Sequence, residues 1–261
     1  MILRGNFSSK VLRMGTNIQF IFPEQEPRRL IYLLHGLHGD QGTWIDRTML
    51  PVFAGEYDAI FVIPEVGRSF YTDLLYGRKY FTYVSEELPM ICRKYLRFDP
   101  GREDTAVMGC SMGGYGSLRL CFTYPEKYGF CGAISPACIY FEKMLENLRN
   151  DPGPFLKTGA EAEETMKDLY AIYGPGLEYN PGYDIVKLAR NFPDPKAMPK
   201  MYITCGTEDK LREENIRFRD EMKTRPYDFT YEEWTGLHDW YFFSDALRKT
   251  LQFWYSQKLA D

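Results

Sequence analysis

The chain has 261 residues, 44% of them hydrophobic and 26% charged, a balance that suits one globular domain able to bury a full core without disulfides or a structural metal. The 32 Lys and Arg against 36 Asp and Glu leave a net charge of −4 without any basic stripe, which argues against nucleic acid as the main partner and against a polybasic membrane anchor. No apolar run reaches the length of a membrane span, residues 1–15 lack the apolar stretch of a secretory signal, and the six cysteines are irregularly spaced with no C-x-x-C pair, so a cytoplasmic protein with reduced, buried thiols is expected.

In chain order, residues 9–13 and 17–22 read as an opening hairpin turning at Met14-Gly15-Thr16. Short apolar runs at 30–34, 59–63, 105–109, 131–135 and 201–205 fit strands covered on both faces, and the alternating run 229–233 fits a strand nearer an edge. Helical patterns fall between them at 80–95, where Pro89 starts or kinks the second half, at 112–124, at 213–223 and at 240–257. About eight strands alternating with helices predict an α/β fold, with a mostly parallel sheet and helices on both faces. Residues 136–199 are long for a connection and rich in Pro. They read as a segment inserted after the sixth strand of a single domain spanning 1–261, and as a cap over the carboxyl ends of the strands. The alternative is a helical elaboration away from them.

Gly109-Cys110-Ser111-Met112-Gly113 matches G-x-S-x-G. The pattern alone is weak, but a strand-like run precedes it and a helix-like run follows. A sharp strand-to-helix turn of this kind pushes a serine hydroxyl clear of the backbone and sets a helix N-terminus beside a developing negative charge. Ser111 is therefore the candidate nucleophile. Cys110 is out of register with the glycines and reads as a packed side chain.

A serine hydroxyl needs a base, and the chain has three histidines. His35 and His38 lie in the loop after the third strand, the place for oxyanion donors. His238 follows the last strand and alone fits the order Ser, acid, His that this architecture uses. The orienting acid is expected after the strand 201–205. Asp209 is the candidate there, with Glu208 as the neighbour that could substitute. The strand 30–34 ends in His35-Gly36, so the oxyanion donors are expected to be the backbone N–H of Met112 and that of Leu37 or Gly36.

Tyr32-Leu33-Leu34-His35-Gly36, Trp44, Phe70-Tyr71-Thr72-Asp73, Ser85-Glu86-Glu87-Leu88-Pro89, the run from Gly109 to Gly116, Cys205-Gly206-Thr207-Glu208-Asp209 and His238-Asp239-Trp240 together resemble the esterase D family. Within it they are most similar to the tributyrin esterase and cinnamoyl esterase branch of the α/β-hydrolases. The resemblance runs from residue 32 to 240 and implies the α/β-hydrolase fold and metal-independent hydrolysis of carboxylic esters, with no cofactor. It matches Ser111, Asp209 and His238 to a catalytic triad, and Leu37 and Met112 to the oxyanion positions. Family members cleave acetyl or hydroxycinnamoyl groups from plant carbohydrates, and S-formylglutathione hydrolases form a related branch.

The reading is thus a serine carboxylesterase for short-chain or aromatic acyl esters. An S-formylglutathione-type thioesterase is the alternative, and a non-catalytic binding protein on the same scaffold is a remote third. Trp44, Tyr71 and Trp240 are expected to line the substrate pocket, with burial in the core as the competing reading. A small-molecule ester is the expected partner, and the sequence leaves a homo-oligomer open.

Overall fold

The computed structural model describes residues 1–137 and 140–258. Its strands are β1 (Ile2–Ser9), β2 (Met14–Ile21), β3 (Arg29–Leu34), β4 (Ala59–Pro64), β5 (Thr105–Cys110), β6 (Phe130–Ile134), β7 (Lys200–Gly206) and β8 (Phe229–Trp234). They form one sheet in the order β1-β2-β4-β3-β5-β6-β7-β8. β2 runs antiparallel to both β1 and β4, and every other pair is parallel. Successive side chains of a strand point to opposite faces. In β3, Leu30, Tyr32 and Leu34 enter one core cluster, and Ile31 and Leu33 enter the other. The central strands are thus buried on both faces, which is why they read as continuous apolar runs.

Helices α1 (Leu88–Leu96), α2 (Met112–Thr123), α3 (Phe141–Asn150), α4 (Ala160–Tyr173), α5 (Ile185–Asn191) and α6 (Arg212–Met222) supply buried residues to the first cluster. Helix α7 (Trp240–Lys258) covers the other face together with Trp44, Ile45, Leu50 and Phe53. This is the α/β-hydrolase arrangement, with the carboxyl ends of β3, β5, β6 and β7 at one edge.

Two expectations are corrected. The opening hairpin spans β1 and β2 and turns across residues 10–13, not at 14–16. The turn sits on Glu87, whose carboxylate accepts the Lys10 N–H at 2.6 Å and the Ser9 hydroxyl. That anchor is 77 residues away, and the one local tie, Leu12 N–H to Ser9 Oγ at 2.8 Å, uses the same serine that Glu87 holds. The expected helix at 80–95 is continuous to Leu96, but it widens into a π-helical stretch over Tyr83–Glu87. Pro89 has no N–H to give the carbonyl four residues back, and that carbonyl, on Ser85, accepts from Lys127 Nζ at 2.9 Å instead.

The segment 136–199 carries α3, α4 and α5. The apolar face of α3 (Phe141, Leu145, Leu148) is buried in the core. Two polar contacts tie α4 to loops at the carboxyl edge: His38 Nε2 lies 2.8 Å from Glu161, and Arg68 Nε pairs with Asp168 at 2.8 Å. Cys92, Cys110, Cys121, Cys131 and Cys205 are free and buried, and Cys138 lies outside the described residues. Among the described residues no helix is long and apolar enough to cross a membrane.

Candidate active site

Ser111 occupies the turn between β5 and α2 at φ 54°, ψ −118°. A serine there is strained by about 1–3 kcal/mol, and only a surrounding structure that over-determines the turn can hold it. Ser111 N–H donates to the Ile134 carbonyl at 2.9 Å, and its own carbonyl accepts from Ala137 N–H at 3.1 Å. Gly113 brings the first turn of α2 onto the end of β3: a Cβ there would stand 2.3 Å from the Leu34 carbonyl oxygen, so no other residue fits.

His238 and Asp209 arrive from the loops after β8 and β7. Nε2 of His238 lies 2.9 Å from Ser111 Oγ, and Nδ1 lies 2.8 Å from Asp209 Oδ2. A serine hydroxyl can donate only to an unprotonated nitrogen, so in this row the ring proton sits on Nδ1 and is given to the carboxylate. The Asp209 side chain is fully buried. Burial works to raise its carboxyl, but the hydrogen bond from His238 and a second from Leu211 N–H, at 2.8 Å, outweigh it and hold the group below its ordinary value. Glu208 is exposed, and it is Asp209 that meets His238 Nδ1. The acid and base loops are laced together. Glu208 N–H donates to the Gly236 carbonyl at 3.1 Å, and a Cβ on Gly206 would meet that same oxygen at 2.2 Å.

The loop after β3 borders the serine. Residues 36–39 form a turn closed by Gly39 N–H to the Gly36 carbonyl at 3.0 Å. A Cβ built on Gly36 would lie 3.6 Å from Ser111 Cβ, so the loop runs close beside the elbow. Met112 is the first residue of α2, so its N–H has no acceptor within the helix. Leu37, half-buried, sits inside the turn, which does not use its N–H.

Two of the three aromatic residues expected in the pocket, Trp44 and Tyr71, are placed otherwise. Trp44 is fully buried, and its indole N–H donates to the Leu34 carbonyl at 3.0 Å. Tyr71 is also fully buried and donates its hydroxyl to the His35 carbonyl at 3.1 Å. Both are core side chains that hold the end of β3 and the loop beyond it, because a large ring with one polar atom is most stable buried with that atom paired. Trp240 is half-buried and packs edge-on against Trp44 and Phe243, and Phe243 in turn packs edge-on against the His238 ring at 5.0 Å. Part of the Trp240 ring stays exposed, beside Asp239 and Tyr241.

Two residues near the row escape a sequence reading. His35 is fully buried beneath its loop. Asn215 is fully buried in α6, and its Nδ2 donates to the Leu211 carbonyl at 2.9 Å and the Pro136 carbonyl at 3.2 Å, joining the acid loop to the loop after β6. An Asn inside a helix is an unfavoured choice, and that was the available signal.

The chain matches the family described as "Putative esterase" over residues 9–254. It is 28% identical to an acetyl esterase of Caldicellulosiruptor saccharolyticus, covering 100% of this chain and 99% of that protein. The substrate-bound structure of FphF, a fluorophosphonate-binding serine hydrolase of Staphylococcus aureus, superposes with a TM-score of 0.82 at 23% identity, over 97% of this chain and 98% of FphF. The S-formylglutathione hydrolase FrmB of the same organism superposes at 0.79 and 24%, over 97% and 98%. At those identities the structural likeness speaks for the fold; the family match speaks for the chemistry. The chain belongs to the esterase family and is a serine esterase on the α/β-hydrolase fold.

Proposed function

We propose that this protein hydrolyses short-chain carboxylic esters through an acyl-enzyme, with Ser111 as nucleophile, His238 as general base and Asp209 as the orienting acid. The observation that carries the proposal is the unbroken row from Asp209 through His238 to Ser111, at 2.8 and 2.9 Å. Ser111 Oγ attacks the ester carbonyl carbon as its proton passes to His238 Nε2. The carbonyl oxygen becomes an oxyanion and is met by the N–H groups of Met112 and Leu37, each such donor being worth about 10²–10³ in rate. His238 then gives its proton to the departing alcohol. Water, deprotonated by the same nitrogen, attacks the acyl-serine; the bond to Ser111 Oγ then breaks, His238 returns the proton to Oγ, and the carboxylic acid leaves.

The acid assignment has a direct test. Asp209→Asn should leave the fold intact and lower kcat by about 10³–10⁴, because an amide can donate to Nδ1 and so favours the wrong imidazole tautomer. Glu208→Gln should behave like the wild type. The reverse ranking in kcat would move the acid to Glu208.

For the acyl group, the full-length relative named an acetyl esterase favours small acids. The segment 136–199 is read as a fixed cap, because its α4 helix buries Met166, Leu169 and Ile172 and is tied by Asp168 to Arg68, and the apolar face of α3 is spent in the core, leaving none for a lipid surface. Aromatic acyl esters belong to the same proposal through the resemblance to cinnamoyl esterases, although Trp44 and Tyr71 do not supply the stacking. The reading includes a small-molecule partner and, from the free buried thiols, a cytoplasmic setting.

The test is kcat/KM for p-nitrophenyl esters from acetate to palmitate, with methyl ferulate and S-formylglutathione alongside. Rates should fall in steps as the chain lengthens, since each misfit methylene is worth about 1–3 kcal/mol. A steady rise toward palmitate would refute the fixed cap. A thioester rate far above every oxygen ester would favour the second reading, a formylglutathione-type thioesterase, which the likeness to FrmB suggests.

A further inference from the structure

In a trans peptide the C=O and the N–H of one plane point in opposite directions, so whatever holds the carbonyl also aims the amide. The plane that carries Leu37 N–H carries the Gly36 carbonyl. That oxygen accepts from Gly39 N–H at 3.0 Å and lies 2.8 Å from His35 Nδ1. The other ring nitrogen of His35, Nε2, lies 3.2 Å from Val66 N–H. A backbone N–H can only donate, so Nε2 accepts and the ring proton sits on Nδ1, where it is given to Gly36. The ring is fully buried, and burial lowers its pKa and keeps it neutral despite Glu65 Oε1 at 3.9 Å. One plane earlier, the His35 carbonyl accepts from the Tyr71 hydroxyl at 3.1 Å. Tyr71 is held in place, because it is fully buried with its ring packed so close on α2 that a Cβ on Gly116 would meet it at 2.7 Å.

Two consecutive peptide planes beside Ser111 are therefore held by their carbonyls, on a loop whose glycine would otherwise let them rotate. We propose that His35 and Tyr71 are positioning residues that fix the Leu37 amide as an oxyanion donor before substrate arrives. The proposal rests on the esterase reading above and deepens it. Neither side chain touches the substrate, so losing either should weaken transition-state binding and leave ground-state binding alone.

The experiment compares His35→Leu, which removes both ring nitrogens, His35→Asn, which keeps a donor near the place of Nδ1, and Tyr71→Phe, which deletes one oxygen. The readouts are kcat and KM for p-nitrophenyl acetate, and Ki for an alkyl trifluoromethyl ketone, whose adduct on serine carries the oxyanion. His35→Leu should lose about 10²-fold in kcat and Tyr71→Phe about 10-fold, with KM unchanged and Ki raised by the same factors, the scale of one oxyanion donor. His35→Asn should recover much of the His35→Leu loss. Wild-type kcat and Ki in folded variants would overturn the proposal, as would a fall in kcat with Ki unmoved or matched by a rise in KM. If His35→Leu does not fold, Tyr71→Phe decides alone: a wild-type Ki overturns it. A wild-type protein that neither turns over p-nitrophenyl acetate nor takes the ketone onto Ser111 would instead overturn the esterase reading, and this proposal with it.

Discussion

Replacing Ser111 by Ala should abolish ester hydrolysis and leave the fold in place. Among the described residues the Ser111 side chain makes one hydrogen bond, to His238, and the turn is held by backbone contacts of residue 111 that alanine keeps. Alanine at φ 54° is strained no more than serine, since both carry a single Cβ. What disappears is the attacking oxygen. Loss of the nucleophile in such a row costs on the order of 10⁴–10⁶ in kcat, the residue being what oriented donors do without it. The neighbouring thiol cannot take over: Cys110 is fully buried, and burial pushes its thiol up, away from the reactive thiolate. The measurement is kcat for p-nitrophenyl acetate beside a thermal unfolding curve. Turnover near the wild type in a clean, folded Ser111→Ala preparation would remove Ser111 from the mechanism.

The fold is legible in the sequence where burial imposes a pattern. β3 to β7 are covered on both sides and read as apolar runs, and Phe229–Trp234, at the sheet edge, shows the weaker alternation expected there. The candidate row is legible because its order along the chain is fixed by the order of strand ends, so one serine between glycines selects one histidine of three. What cannot be read is whatever depends on partners distant in sequence. The hairpin turn waits on Glu87, and the Arg68 to Asp168 contact joins residues 100 apart. The aromatics mislead for a related reason. Trp44 and Tyr71 do lie in loops at the carboxyl edge, as their positions suggest, but a loop residue can turn its ring back under the sheet end, and spacing does not say which way it turns. Each has a polar atom that finds a backbone carbonyl, Leu34 at the end of β3 or His35 in the loop beyond it, and that pairing decides for burial.

His238→Ala should be nearly as inactive as Ser111→Ala, about 10⁶ below the wild type, because nucleophile and base act as a unit and losing either loses both. The three histidines should separate cleanly, since each has a different environment. His38 is 63% exposed and pairs with Glu161, itself 59% exposed; ion pairs in water are worth about 0–1 kcal/mol, so His38→Ala should keep most of the activity. His35 has both nitrogens engaged by backbone groups and none free for a serine proton, so its loss should act only through the loop it holds. His238 alone has one nitrogen on a serine hydroxyl and the other on a buried carboxylate. The ranking is read from kcat of the three alanine variants at one pH, with folding checked by thermal unfolding. Added imidazole gives a second readout: it can enter the space left by the ring and should restore part of the activity of His238→Ala, but none to a variant whose defect is a misplaced loop. An inactive His38→Ala beside an active His238→Ala would move the base to the loop after β3 and dissolve the row on which the reaction is built.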